Sequence, residues 1–274
     1  MRIPRLALMA GVLASSLFAG VLSAGAAQAA TVAGPGFKPV LTKSTLYKTG
    51  KLGFETCEEP QVQSGSLDEA RLYFEALLGC LDKAWGPKVK KAGFTFTKPK
   101  FRVITKPDKK GKCGGFPQGG GVQAIYCRLD KTITFLLTPQ IVEEPTDLQL
   151  MATLAHEYGH HLQYLTGMFK ALDTPAKKTE ARYLEESRRV ELQAQCLSGV
   201  FIGSIWGSLG RPESDYQLLL KAKHGLGLGV IGVRDSADET HASNAANSRW
   251  IKRGFDAKSA GGCNTWTAAK SQVS

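Results

Sequence analysis

The chain has 274 residues, 43% of them apolar, and 35 Lys and Arg against 24 Asp and Glu give a formal charge of +11. Beyond the first thirty residues no apolar stretch is long enough to span a bilayer, and no aromatic residues interleave the basic runs as base stacking requires. A spanning membrane protein and a nucleic-acid module are therefore excluded as first readings, and the length suits one large domain or two small ones.

The N-terminus, MRIPRLALMAGVLASSLFAGVLSAGAAQAA, has two arginines, an apolar run and then small residues ending in Ala27-Gln28-Ala29. That order predicts a secretory signal peptide over residues 1–29, cleaved before Ala30. Its loss removes Arg2 and Arg5, so +11 becomes +9. The product is expected outside the cytoplasm, secreted or associated with the envelope. Lysines gather at Lys88–Lys112 and Lys170–Lys178. They read as a solvated surface, with an anionic cell wall as the candidate partner. Residues 30–44 are expected to be a loose lead-in, and 45–274 to form one domain, because no linker or repeat interrupts them.

In chain order, the first strong pattern is a helix over Leu67–Ala92, capped by Ser66 or Asp68. Its apolar face is Ala70, Leu72, Phe74, Leu77, Leu78, Leu81 and Trp85. Phe94–Ile104 and Thr132–Leu137 are rich in Phe, Thr, Val and Ile and read as strands. Between them GKCGGFPQGGG lacks the closing Gly-Lys-Ser/Thr of a phosphate loop and reads as a flexible loop. A small sheet followed by helices predicts an α+β fold.

The stretch LAHEYGHHLQ, Leu154–Gln163, holds three of the five histidines. His156 and His160 stand four apart with Glu157 after the first, the H-E-x-x-H pattern. On a helix both imidazoles share a face and can reach one metal ion, with Glu157 beside a water on it. Helix signals surround the motif. Thr146 and Gln149 fit a capping box, Met151, Leu154, Ala155, Tyr158, Leu162 and Leu165 recur at helical spacing, and Gly167 is a stop. The helix should be half-buried, with Tyr158 packed and His161 pointing off the metal face towards the surface or a supporting position.

A catalytic zinc takes three protein ligands and leaves a position for water. A histidine six residues beyond His160 is absent, since Thr166 stands there. The third ligand is expected downstream, where Arg188–Gly199 reads as a second helix carrying Glu191; Glu185 and Glu186, just ahead of it, are rivals that spacing alone does not separate from Glu191. GLGVIG, residues 227–232, matches the dinucleotide fingerprint literally, but no strand precedes it and no βαβ unit surrounds it, so no nucleotide cofactor is expected. Six cysteines are an even number in an exported chain. Of fifteen connectivities, chain order favours Cys57 with Cys80 and Cys113 with Cys127, leaving Cys196 with Cys263.

Taken together, HEYGHHLQ, ELQAQC and THASNAANSRWIKRGF, preceded by CGGFPQGGGVQAIYC and followed by CNTW, resemble the putative neutral zinc metallopeptidase family of bacteria. The likeness runs from about Leu46 to Trp266. It implies a zincin-like metalloprotease fold, with a small sheet, an H-E-x-x-H helix and a second helix whose Glu191 is the third ligand, as in gluzincins. It also supports the cysteine pairing above. The implied activity is hydrolysis of peptide or protein substrates through a zinc-bound water that Glu157 activates, with His241 stabilising the oxyanion and Asp238 orienting His241. The chain departs from the family pattern in three places. Gln195 stands where Asp is usual and is expected to support a ligand histidine as an uncharged acceptor. Ala242 and Asn244 alter the segment around His241, and IGVR replaces an I-G-D-D-like stretch. A metal-holding envelope protein with little turnover is the competing expectation.

Overall fold

The computed structural model describes residues 36–63, 65–117, 122–139, 141, 147–173, 178–220 and 239–274. The expected leader, Thr146, the Gly227–Gly232 segment, the IGVR stretch and Asp238 lie outside the described residues.

Helix α2 (Leu67–Lys91) begins where the Ser66 hydroxyl accepts from the main-chain N–H of Glu69 at 3.3 Å, satisfying one orphan donor of the first turn. Asp68 and Glu69 in the first turn and Lys88, Lys90 and Lys91 in the last match the helix dipole. Its buried face is Ala70, Tyr73, Phe74, Leu77, Leu81, Ala84 and Trp85. Leu72, expected on that face, is 60% exposed, and Tyr73 takes the inward place. The Tyr73 hydroxyl donates to Glu59 at 2.6 Å, which lets the ring bury without losing a polar partner.

Three strands form a small mixed sheet in the order β1-β3-β2. Strand β1 (Lys100–Ile104) runs parallel to β3 (Thr132–Leu136), and β2 (Ala124–Cys127) runs antiparallel to it. The first expected strand is shorter than read, and β2 was not foreseen at all. The glycine-rich loop before β2 is less loose than expected where it is described. Phe116 is buried, its N–H donates to Asp108 at 2.7 Å, and the Cys113–Cys127 disulfide ties the loop to β2. Gly115, at φ +90°, sits where an added Cβ would meet Lys109 Cα at 2.5 Å, so no side chain fits there.

The sheet and α2 cover one side of α3 (Asp147–Leu165), and α5 (Glu180–Leu209) covers another. All residues from Leu148 to Gln163 are buried. The expected half-buried helix is thus enclosed all round, because elements distant in sequence pack on the side that looked polar. Gly167, at φ +74°, ends α3 and opens the short α4 (Met168–Leu172).

Helix α5 is longer than the twelve-residue stretch that drew attention. Thr179 caps it by accepting from Arg182 N–H, and no proline intervenes before Gly210, at φ +61°. After α6 (Glu213–Leu220), helix α7 (Asn244–Ala257) lies with its backbone against α5. A Cβ on Gly199 would fall 2.2 Å from Ile251 O, and one on Gly254 would fall 1.9 Å from Cys196 O. The Cys196–Cys263 disulfide fastens the same region to the C-terminal turns. Cys57–Cys80 completes the pairing that chain order favoured.

Part of the expected loose lead-in is held down. Helix α1 (Pro39–Thr42) buries Leu41, and Phe37 meets the Trp266 ring edge-on at 5.1 Å. None of the helices is long and apolar enough to cross a membrane among the described residues.

Candidate metal centre

Four helical turns on two helices build the site. His156, Glu157 and His160 come from α3, Glu191 and Gln195 from α5. The helices approach closely because Gly159, between the two histidines, faces Ala194. A Cβ on Gly159 would lie 2.9 Å from Ala194 Cα and 3.0 Å from Ala194 O. Glycine at that position therefore brings the histidine face of α3 against the Glu191–Gln195 face of α5.

The Nε2 atoms of His156 and His160 lie 3.2 and 3.3 Å from one carboxylate oxygen of Glu191. The three ligand atoms all fall within 4.8 Å of one another, the one such group among the described residues. A tetrahedral zinc with bonds of about 2.0–2.1 Å separates its donors by about 3.3 Å. The donor set and both imidazole–carboxylate distances fit zinc. The far nitrogens also suit it. Nδ1 of His156 meets Gln195 Oε1 at 3.0 Å and Nδ1 of His160 meets Gln163 Oε1 at 2.9 Å. An amide oxygen only accepts, so each Nδ1 is the nitrogen that carries the proton in the neutral ring, which leaves Nε2 as the atom a ligand would take.

Electrostatics reinforce the grouping. Burial opposes charge on Glu191, but His160 and His156 beside it override that and hold its carboxyl well below the usual range. Burial likewise opposes charge on His160, yet Glu191 wins and raises its pKa to about 9. Glu157 is buried, and burial pushes its carboxyl up, opposed by both imidazoles and by the main-chain N–H of Tyr126 on β2.

Residues 19–266 match the family described as Putative neutral zinc metallopeptidase. The chain belongs to that family. It is 28% identical over 211 residues to the uncharacterized protein YpfJ of Escherichia coli strain K12, covering 73% of this chain and 72% of that protein. It is 27% identical over 212 residues to the uncharacterized protein Rv2575 of Mycobacterium tuberculosis strain H37Rv, covering 69% of this chain and 68% of the other. No solved structure matches.

In this neutral zinc metallopeptidase family member the rival glutamates have other work. Glu185 pairs with the buried Arg189 at 2.8 Å, and Glu186 is held by Lys178 at 2.5 Å and Arg182 at 2.6 Å. Neither joins the histidines. His241, just ahead of α7, brings its Nε2 to 3.6 Å from the same Glu191 oxygen and is 27% exposed. Asp238, its expected partner, is outside the described residues, and Thr240 Oγ1 lies 3.2 Å from His241 Nδ1.

For His161, expected on the surface or in a supporting position, the surface alternative is corrected. The residue is fully buried, with Nδ1 3.0 Å from the Tyr126 hydroxyl and Nε2 2.6 Å from Thr97 O, because β2 and the chain entering β1 cover that side of α3. Tyr158 packs as expected and donates to Asp82 at 2.8 Å. Gln163 was missed. Its sequence signal was the i, i+3 spacing from His160 on one helix face.

Proposed function

We propose that the chain is an exported zinc-dependent peptidase with a zincin-like fold, acting on peptide or protein substrates. Zinc is held by His156, His160 and Glu191. The observation that carries this reading is the pair of Nε2–carboxylate separations, 3.2 and 3.3 Å, which match a tetrahedral zinc's donor spacing. Family membership supports the same reaction class. Three disulfides suit an oxidising compartment and support export.

When bound there, zinc supplies a Lewis acid for a scissile carbonyl and lowers the pKa of water. Glu157 accepts the proton of the attacking water on its carboxylate and passes it to the leaving amine. Burial, which raises its pKa, suits a group that must both take and give a proton. His241 donates from Nε2–H to the oxyanion that forms on the carbonyl oxygen, with Asp238 as its proposed orienter. Gln195 and Gln163 hold the ligand rings in place.

A second reading is a metal-holding envelope protein with little turnover, which the amide at Gln195 favours, since a carboxylate there would make His156 more basic. One experiment decides between them. Metal analysis of the mature protein is combined with hydrolysis of a mixed peptide library, with and without chelator. One zinc per chain with chelator-sensitive cleavage supports the peptidase. Zinc without cleavage selects the second reading, and no stoichiometric metal defeats both.

A further inference from the structure

We propose that Gln163 and Gln193 are positioning residues that set the tautomer of His160 through a buried line of amides anchored on main-chain carbonyls. The inference rests on the zinc reading of His156, His160 and Glu191.

A glutamine amide has a donor end and an acceptor end, and only its surroundings decide which way it points. The decision here starts far from the metal. Nε2 of Gln193 donates to the carbonyl of Cys263 at 3.2 Å and to the Tyr47 hydroxyl at 2.7 Å. The carbonyl can only accept. The Tyr47 hydroxyl spends its own proton on Leu41 O at 2.9 Å, so towards Gln193 it also accepts. Oε1 of Gln193 is thereby turned to Gln163, whose Nε2 donates to it at 3.0 Å and to Val190 O at 2.9 Å. That leaves Oε1 of Gln163 facing His160 Nδ1 at 2.9 Å.

Reversing either amide sets oxygen against oxygen with no water to relieve it, since both glutamines are buried. Two separate carbonyls, Val190 and Cys263, enforce the same orientation. Once the ring is neutral, as zinc requires, His160 therefore keeps its proton on Nδ1 and presents Nε2, the nitrogen beside Glu191, as the ligand atom. The line joins α3, α5, the turn Thr45–Lys48 and the C-terminal turn Ala260–Cys263, whose Cys263 is bonded to Cys196 next to Gln195. His160 is thus oriented by parts of the chain that never touch the metal.

The test measures zinc affinity by chelator competition and melting temperature side by side. Gln163→Leu removes the acceptor and should weaken zinc about 10- to 100-fold, while Gln193→Leu, which leaves Val190 O in place, should cost about 10-fold at most. Gln163→Glu separates positioning from packing. It keeps an acceptor on His160 but sets a carboxylate against Val190 O, so its melting temperature should drop with the Leu variant while its affinity should equal or exceed that of wild type. Affinity falling in step with melting temperature in the Glu variant overturns the proposal. Nitrogen-15 spectra of the zinc-loaded wild type need no variant: the His160 proton should be on Nδ1, and a proton on Nε2 overturns it. Wild type that binds no zinc removes the metal reading and this inference together. Wild type that binds zinc no better than Gln163→Leu removes this inference alone.

Discussion

Gln195 accepts a hydrogen bond from the Nδ1–H of His156 at 3.0 Å, with both side chains buried. An uncharged amide fixes the ring but leaves it less basic than a carboxylate would. The charge test is Gln195→Glu, which preserves reach, whereas Asp is one methylene shorter and would fall back from the ring unless the helices closed. Gln195→Glu should tighten zinc, and Gln195→Leu should weaken it about 10- to 100-fold. Chelator competition on the three proteins gives the order. Equal affinities would mean that the contact carries no weight at the metal.

Much of this site was legible because it is built from near neighbours on helices. The i, i+4 pair of His156 and His160 needs only a helix to converge, and Glu191 and Gln195 repeat the same spacing on α5. What sequence spacing did not resolve depends on contacts across long separations. Glu185 and Glu186 drop out only because Arg189, Lys178 and Arg182 claim them. The surface alternative for His161 stayed open because nothing local reveals that Tyr126 and Thr97 will close over it. Strand β2 was invisible for a similar reason. Four residues, AIYC, between a glycine-rich loop and a turn hold too little alternation to signal a strand, and β2 exists through its pairing with β3.

Glu157 and Glu191 should separate cleanly by substitution. Glu157→Gln removes a proton acceptor but no ligand, so zinc content should stay near one per chain while hydrolysis falls about 10²- to 10⁴-fold. Glu191→Ala should lose the metal. Atomic absorption on both variants reads this directly, and full occupancy in Glu191→Ala would return the third-ligand assignment to open choice.

Gly159 should not tolerate even a methyl group. The nearest atoms to an added Cβ, at 2.9 and 3.0 Å, are backbone atoms of Ala194, which cannot rotate away. Gly159→Ala must therefore push α3 and α5 apart, at a cost of about 1–3 kcal/mol in stability. The same displacement widens the gap between the histidines and Glu191, so zinc affinity should fall as well. Denaturant unfolding and chelator competition measure the two losses. A variant with wild-type affinity would show that helix contact at Gly159 does not set the metal geometry.

Zinc uptake should be coupled to proton release with a definite pH dependence. In the metal-free protein Glu191 raises the His160 pKa to about 9 against the opposing effect of burial, so the imidazolium prevails at neutral pH. Zinc needs the neutral ring, and the proton on it must leave. Glu191, held well below the ordinary carboxylate range, is already ionised and releases none. His160 should therefore give up about one proton per zinc bound at pH 7, and this release should fade as pH rises through about 9. The sign for affinity follows: below that pH the proton competes with the metal, so affinity attributable to His160 should approach a tenfold drop per unit, about fiftyfold between pH 9 and pH 7. Calorimetric titrations in buffers of different ionisation enthalpy count the protons at each pH. Release that grows as pH rises would reverse the sign and mean that His160 is already neutral when zinc arrives.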